Sequence, residues 1–162
     1  MTRLFRRRRG GDPVAVAAGE RLLASASTSS GAVGGTRDAL YLPERLPWEE
    51  VAAADWDPEE RTLTVTEVGR FGQERVVHVL HLEDAGRLLQ LVRERVTASI
   101  ALQRHVQVTD RRSVRVLARQ APGRRGELAW FVEYDEGLDP ADPQVDALVQ
   151  AALAAARADV GA

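Results

Sequence analysis

The passage LEDAGRLLQLVRERVTASI, residues 82–100, decides the fold. Its apolar residues Ala85, Leu88, Leu89, Val92, Val96 and Ile100 recur every three or four positions, which makes one continuous stripe on a helix. Arg87, Gln90, Arg93, Glu94 and Thr97 line the opposite side. The spacing therefore predicts a helix over 82–100 with a single face pressed against a sheet. Acids at Glu83 and Asp84 and arginines at Arg93 and Arg95 suit the two ends of its dipole. Gly86 opposes the helix by about 1 kcal/mol relative to alanine, and the stripe outweighs it, since burying one leucine contributes roughly 1.5–3 kcal/mol.

Working back from the helix, the chain reads as short strands. Arg75 to Leu82 is rich in valine and feeds directly into it, after a turn at Gly69 to Gln73. Thr62 to Val68 alternates strictly, with Leu63 and Val65 on one face and threonines on the other, the pattern of a half-buried antiparallel strand. Asp57-Pro58-Glu59-Glu60 has the chemistry of a type I turn. Before it, LPWEEVAAADWD predicts a strand entered at Pro47 and Trp48 and running to about Trp56. Asp38 to Leu42 is a short strand stopped by Pro43, ERLLASAST from Glu20 is another, and SSGAVGG between them reads as a turn or bulged hairpin needing positive φ at its glycines.

Beyond the helix the period returns to two. Ile100, Leu102, Val106 and Val108 share a face, Asp110-Arg111-Arg112 turns, and Val114, Val116 and Ala118 continue a second strand. A loop at Ala121 to Gly126 leads to a third, with Leu128, Trp130, Val132 and Tyr134 on its apolar face. Asp142 and Pro143 then form a cap and first-turn pair for a helix whose stripe is Val145, Leu148, Val149, Ala152 and Ala156.

Composition narrows the chemistry. The 162 residues contain no cysteine, which excludes disulfides, thiolate metal sites and a cysteine nucleophile. All 22 basic residues are arginine, so a phosphate-loop lysine and Schiff-base chemistry are excluded too. Five of them, Arg3, Arg6, Arg7, Arg8 and Arg9, fall in the first nine residues without an acid; the remainder carries 17 basic against 24 acidic residues. Residues 1–18 are thus expected to be a flexible basic arm on an acidic body, and those five arginines are the candidate contacts to an anionic surface. Leu4 and Phe5 beside them suit a membrane interface, whereas the acidic body disfavours nucleic acid. No run has the apolar length of a membrane span, so the expected location is cytoplasmic, with peripheral membrane attachment through the arm as the variant.

Motifs for catalysis are weak. His78 and His81 differ by three positions and would leave a strand on opposite faces, so His78, His81 and His105 read as structural or solvated histidines. Glu49-Glu50, Asp55-Asp57 and Glu59-Glu60 pair carboxylates, with Asp57 accounted for by the proline turn. Gly31, Gly34 and Gly35 are followed by neither a lysine nor a helix, which argues against a phosphate cradle. Trp48, Trp56 and Trp130 sit among apolar neighbours and are expected in the core. No catalytic, metal or cofactor site is assigned, and any enzyme here would have to use Glu50, Asp55 or His105.

About six strands followed by a plugging helix is the order of the pleckstrin-homology-like superfold. Residues 19–100 resemble its bacterial version through the Pro47-Trp48 strand start and the L-x-x-L-V-x-x-R-V pattern from Leu88 to Val96. LPWEEVAAADWD and LLQLVRERVTASI also resemble passages in a group of small uncharacterised actinobacterial proteins. The resemblance implies an α+β fold: a partly open barrel of antiparallel strands over 19–100 capped by the helix. A three-strand extension and C-terminal helix over 101–162 would then pack on the same domain. It implies a noncatalytic binding or scaffolding module for peptides, proteins or lipid head groups. In the resembled family phosphoinositide binders use basic residues around the first hairpin; the matching loop here is STSSGAVGG, with Arg37 the nearest base beyond it. A protein partner is expected, and self-association through small-residue helix faces is compatible with the sequence.

Overall fold

The structure, a computed structural model, describes residues 14–70, 72–123 and 126–161; the five arm arginines lie outside them. The chain is α+β, with three antiparallel sheets and two helices, and separates into two compact units, one ending at Val96 and the other beginning at Thr97.

In the first unit β1 (Ala24–Thr28), β2 (Gly31–Gly35), β3 (Ala39–Tyr41) and β4 (Arg45–Pro47) form one sheet in chain order. A 3₁₀ turn, Trp48–Glu50, leads into a second sheet of β5 (Val51–Asp57), β6 (Thr62–Glu67) and β7 (Val77–His81). The sheets meet again at one bridge between Thr28 and Leu82, beside which the Glu83 N–H donates to the Ser27 carbonyl at 3.0 Å. The strand set is therefore only partly closed. The helix α1 (Gly86–Ser99) contributes Leu88, Leu91 and Val92 to a core that also holds Val33, Leu40, Trp48, Leu63 and Val65. The strict alternation of β6 puts Leu63 and Val65 inside, as expected.

Several sequence expectations shift. The helix begins four residues later than the expected Leu82 and ends one residue before Ile100, because Leu82 completes the bridge to Thr28 and Ile100 opens the next strand. Glu83 and Asp84 consequently precede α1, and neither Arg93 nor Arg95 falls in its last turn. The hairpin expected at SSGAVGG forms, turning at Ser29 and Ser30, with GAVGG as its second strand. Of its glycines only Gly31 has positive φ, at +142°. A Cβ on Gly35 would lie 2.7 Å from Leu91 Cδ2 and 3.1 Å from Trp48 Cζ2, so this glycine admits the helix and the indole close to the sheet. Trp48 is fully buried as expected but lies in the 3₁₀ turn, since the chain must bend there to leave one sheet for the other.

In the second unit β8 (Ile100–Thr109), β9 (Arg112–Arg119) and β10 (Ala129–Tyr134) form a meander in the order β10-β9-β8. The helix α2 (Pro143–Asp159) starts as expected: the Asp142 carboxylate accepts from the Gln144 N–H at 2.8 Å, with Pro143 in the first turn. Val145 and Val149 pack with Val114, Val132, Tyr134 and Leu153, whereas Leu148, on the expected stripe, is 40% exposed. Trp130 is half-buried beneath the Arg157 guanidinium, 5.7 Å from its ring centroid. Arg119 is buried and donates to Ser99 Oγ at 3.2 Å.

Gly86 is the first residue of α1 and has φ of +32°. A side chain there is strained, so the helix-propensity expectation reverses sign. Gly86→Ala should lower stability by about 1–2 kcal/mol in urea denaturation, whereas a stabilised variant would show that the glycine is an ordinary helix-interior residue.

Candidate binding cleft

The first unit carries a cleft of about 400 Å³ beside the β3–β4 turn, lined by Leu42, Pro43, Glu44, Arg45, Leu46, Glu50, Glu67 and His78. Three local features build it. The cis peptide Leu42–Pro43 begins the turn, which the Leu42 N–H closes by donating to the Glu44 carbonyl at 3.0 Å. The 3₁₀ turn brings in Glu50, whose carbonyl accepts from the Val68 N–H at 2.8 Å. The β6–β7 hairpin brings in Glu67 and His78, whose Nε2 lies 2.7 Å from Glu67 Oε1.

The wall carrying Arg45 is held from behind by Glu20. This carboxylate is 8% exposed and accepts from Thr36 Oγ1 at 2.6 Å, Tyr41 Oη at 2.6 Å and Arg45 Nε at 2.9 Å. Burial opposes its ionisation, but the hydrogen bonds from Arg45, Thr36 and Tyr41, together with the Arg45 charge, prevail and lower its pKa from 4.5 to about 2. Reciprocally, the hydrogen bond to Glu20 raises Arg45 against its own burial. Tyr41 Oη also accepts from the Ala17 N–H at 2.9 Å, so the segment before β1 is tied to β3 as well.

The remaining cleft charges are unequal in their commitments. Arg45 is engaged with Glu20 and His78 with Glu67, while Glu44 and Glu50 make no side-chain hydrogen bond or ion pair among the described residues. The lining thus presents acceptor capacity facing solvent and suits a cationic donor.

Of the carboxylates singled out in the sequence, Glu50 lines this cleft. Asp55 is exposed on β5, and Asp57 accepts from the Glu59 and Glu60 N–H groups at 2.9 and 3.1 Å, as the turn chemistry requires. His81 points away from His78 and lies 3.2 Å from Thr62 Oγ1. His105 is on β8 in the second unit, 3.0 Å from Gln103 Nε2. Among the described residues no three His, Asp or Glu side chains are grouped to hold a metal ion. Glu20, Thr36, Arg45 and Glu67 escape sequence reasoning, since none belongs to a motif. Glu67 alone had a signal, at the end of the alternating strand whose hairpin partner carries His78.

Because the folded pKa of Glu20 lies below its unfolded value, its contribution is complete above pH 4.5 and is lost as pH falls toward 2. The whole shift corresponds to about 3 kcal/mol, and solvent screening at Arg45, 41% exposed, brings the expected figure to about 2 kcal/mol. Glu20→Gln should therefore be less stable than the wild type at pH 7 by about that amount and should approach it at pH 2. Denaturation curves that differ equally at both pH values would show that the carboxylate charge is not the cause.

Comparison of the chain with family models, with curated proteins and with solved structures finds no match.

Proposed function

We propose that this chain is a noncatalytic binding module with a pleckstrin-homology-like body, and that its cleft receives an arginine or lysine side chain of a protein partner. The observation that carries this reading is the charge distribution in the cleft: Glu44, Glu50 and Glu67 against Arg45 and His78, with both basic groups already paired. A phosphate-bearing head group would meet a surplus of carboxylates there, whereas a guanidinium or ammonium would find acceptors without displacing a partner. The arrangement of four strands, then three, then a helix with its apolar face in the core supports the resemblance on which the body is assigned. That fold accommodates many ligands, so the cleft and not the fold carries the choice.

Titration with N-acetyl-arginine methylamide, followed by NMR, tests the reading. Perturbed amides should centre on Glu44, Arg45, Glu50, Glu67 and His78, the citrulline analogue should leave them unmoved, and salt should weaken the effect. Glu50→Gln should reduce affinity about 3- to 10-fold, the range for one charge-assisted contact worth about 1 kcal/mol. Equal perturbation by the neutral analogue, or preferential binding of an inositol phosphate in the cleft, would contradict it.

A second reading concerns the arm, where Arg6 to Arg9 follow Leu4 and Phe5. Each arginine near an anionic membrane contributes about 1 kcal/mol, so the full chain should sediment with anionic but not neutral liposomes. Unchanged sedimentation after deletion of residues 1–10 would remove the arm from the account.

A further inference from the structure

The strand β7 leaves one edge unpaired. The Glu67 N–H donates to the Val76 carbonyl and the Leu82 N–H to the Arg61 carbonyl, both at 2.9 Å. Even-numbered residues of β7 therefore turn their main-chain groups toward β6, while Val77 and Val79 turn theirs away. Among the described residues only β6 pairs along this strand, and β1 meets it no earlier than the bridge at Leu82. The side chains on the outer face are open as well: Val77 is 50% and Val79 60% exposed.

Soluble proteins blunt such edges with charges or proline, yet the run from Val76 to Leu82 contains no Asp, Glu, Lys, Arg or proline. The open groups also match themselves. Turned about His78, the strand offers an identical pattern in reverse, Val77 against Val79 and Val79 against Val77. Each pair can exchange both of its N–H and carbonyl bonds and cover a half-exposed valine with another. A different occupant would have to supply apolar residues at alternate positions and free edge groups in the same register, which is what β7 itself supplies.

We infer that β7 pairs antiparallel with β7 of a second copy of the chain, centred on His78, and joins two three-stranded sheets into one. The inference stands on the free edge of β7; His78 at its centre also lines the cleft, on the opposite face of the sheet from Val77 and Val79. Two short strands bury less than the ~1,200 Å² of a standard interface, so the dimer forms reversibly and depends on concentration.

Sedimentation equilibrium of the full chain, paired with amide hydrogen exchange, tests this. Mass should rise from one chain toward two with concentration, and the Val77 and Val79 amides should slow in step. Val79→Pro removes an N–H that β6 does not use, and Val79→Lys places like charges at the interface. Both variants should be monomeric where the wild type is dimeric, with far-UV circular dichroism unchanged and a thermal midpoint matching that of the wild type at concentrations where it too is monomeric. Should the proline variant fail to fold, the lysine variant decides. A wild type monomeric at every concentration, a dimer that persists in Val79→Lys, or a dimer without protection at Val77 and Val79 would each overturn the inference.

Discussion

A buried carboxylate holds the first unit together where its strands are least able to do so themselves. β3 and β4 are three residues each, too short for pairing alone to fix. Glu20 compensates by accepting from Thr36 after β2, from Tyr41 in β3 and from Arg45 in β4, three points of the chain gathered on one side chain. Behind it Thr36, fully buried, accepts from Ala39 N–H through its hydroxyl and from Trp48 Nε1 through its carbonyl. A buried polar network of this kind stabilises only when its members are satisfied, and it then selects one arrangement over its competitors.

That arrangement sets the character of the cleft. Because Arg45 turns its Nε to Glu20, the guanidinium lies along the cleft wall with its charge largely balanced from behind. His78 is likewise engaged, its Nε2 within hydrogen-bond distance of Glu67. The cleft is therefore acidic through the carboxylates that remain, and the sequence of its rim, PERLPWEE, already sets three glutamates against one arginine. The same hub links the core to the cleft: the core residue Trp48 bonds to Thr36, Thr36 to Glu20, and Glu20 to the cleft residue Arg45.

What the sequence made legible was periodic. The stripe of α1, the alternation at Thr62 to Val68, the Asp57-Pro58 turn and the Asp142-Pro143 helix start each depend on neighbours within a few positions, and each stands in the structure. The α+β class followed from their order. What stayed hidden depends on distant partners. Leu82 belongs to a bridge with Thr28, so the helix expected over 82–100 starts only at Gly86. Gly35 is required by Leu91 and Trp48, a close approach from distant residues that the hairpin pattern of SSGAVGG does not show. Glu20 is one acid among 24, and nothing beside it announces that residues 16 to 25 positions away converge on it. The cleft was half visible: Glu50 and His78 drew notice as isolated groups, but Glu67 and Arg45, which give them context, did not.

The account rests on Glu20 being ionised in a buried, threefold hydrogen-bonded site. Site-resolved carbon NMR titration of its carboxyl group in the folded full chain measures this directly. A midpoint near 2 is predicted. A midpoint at or above 4.5 would mean that burial prevails over Thr36, Tyr41 and Arg45, and would contradict the hub on which both the short strands and the acidic cleft depend.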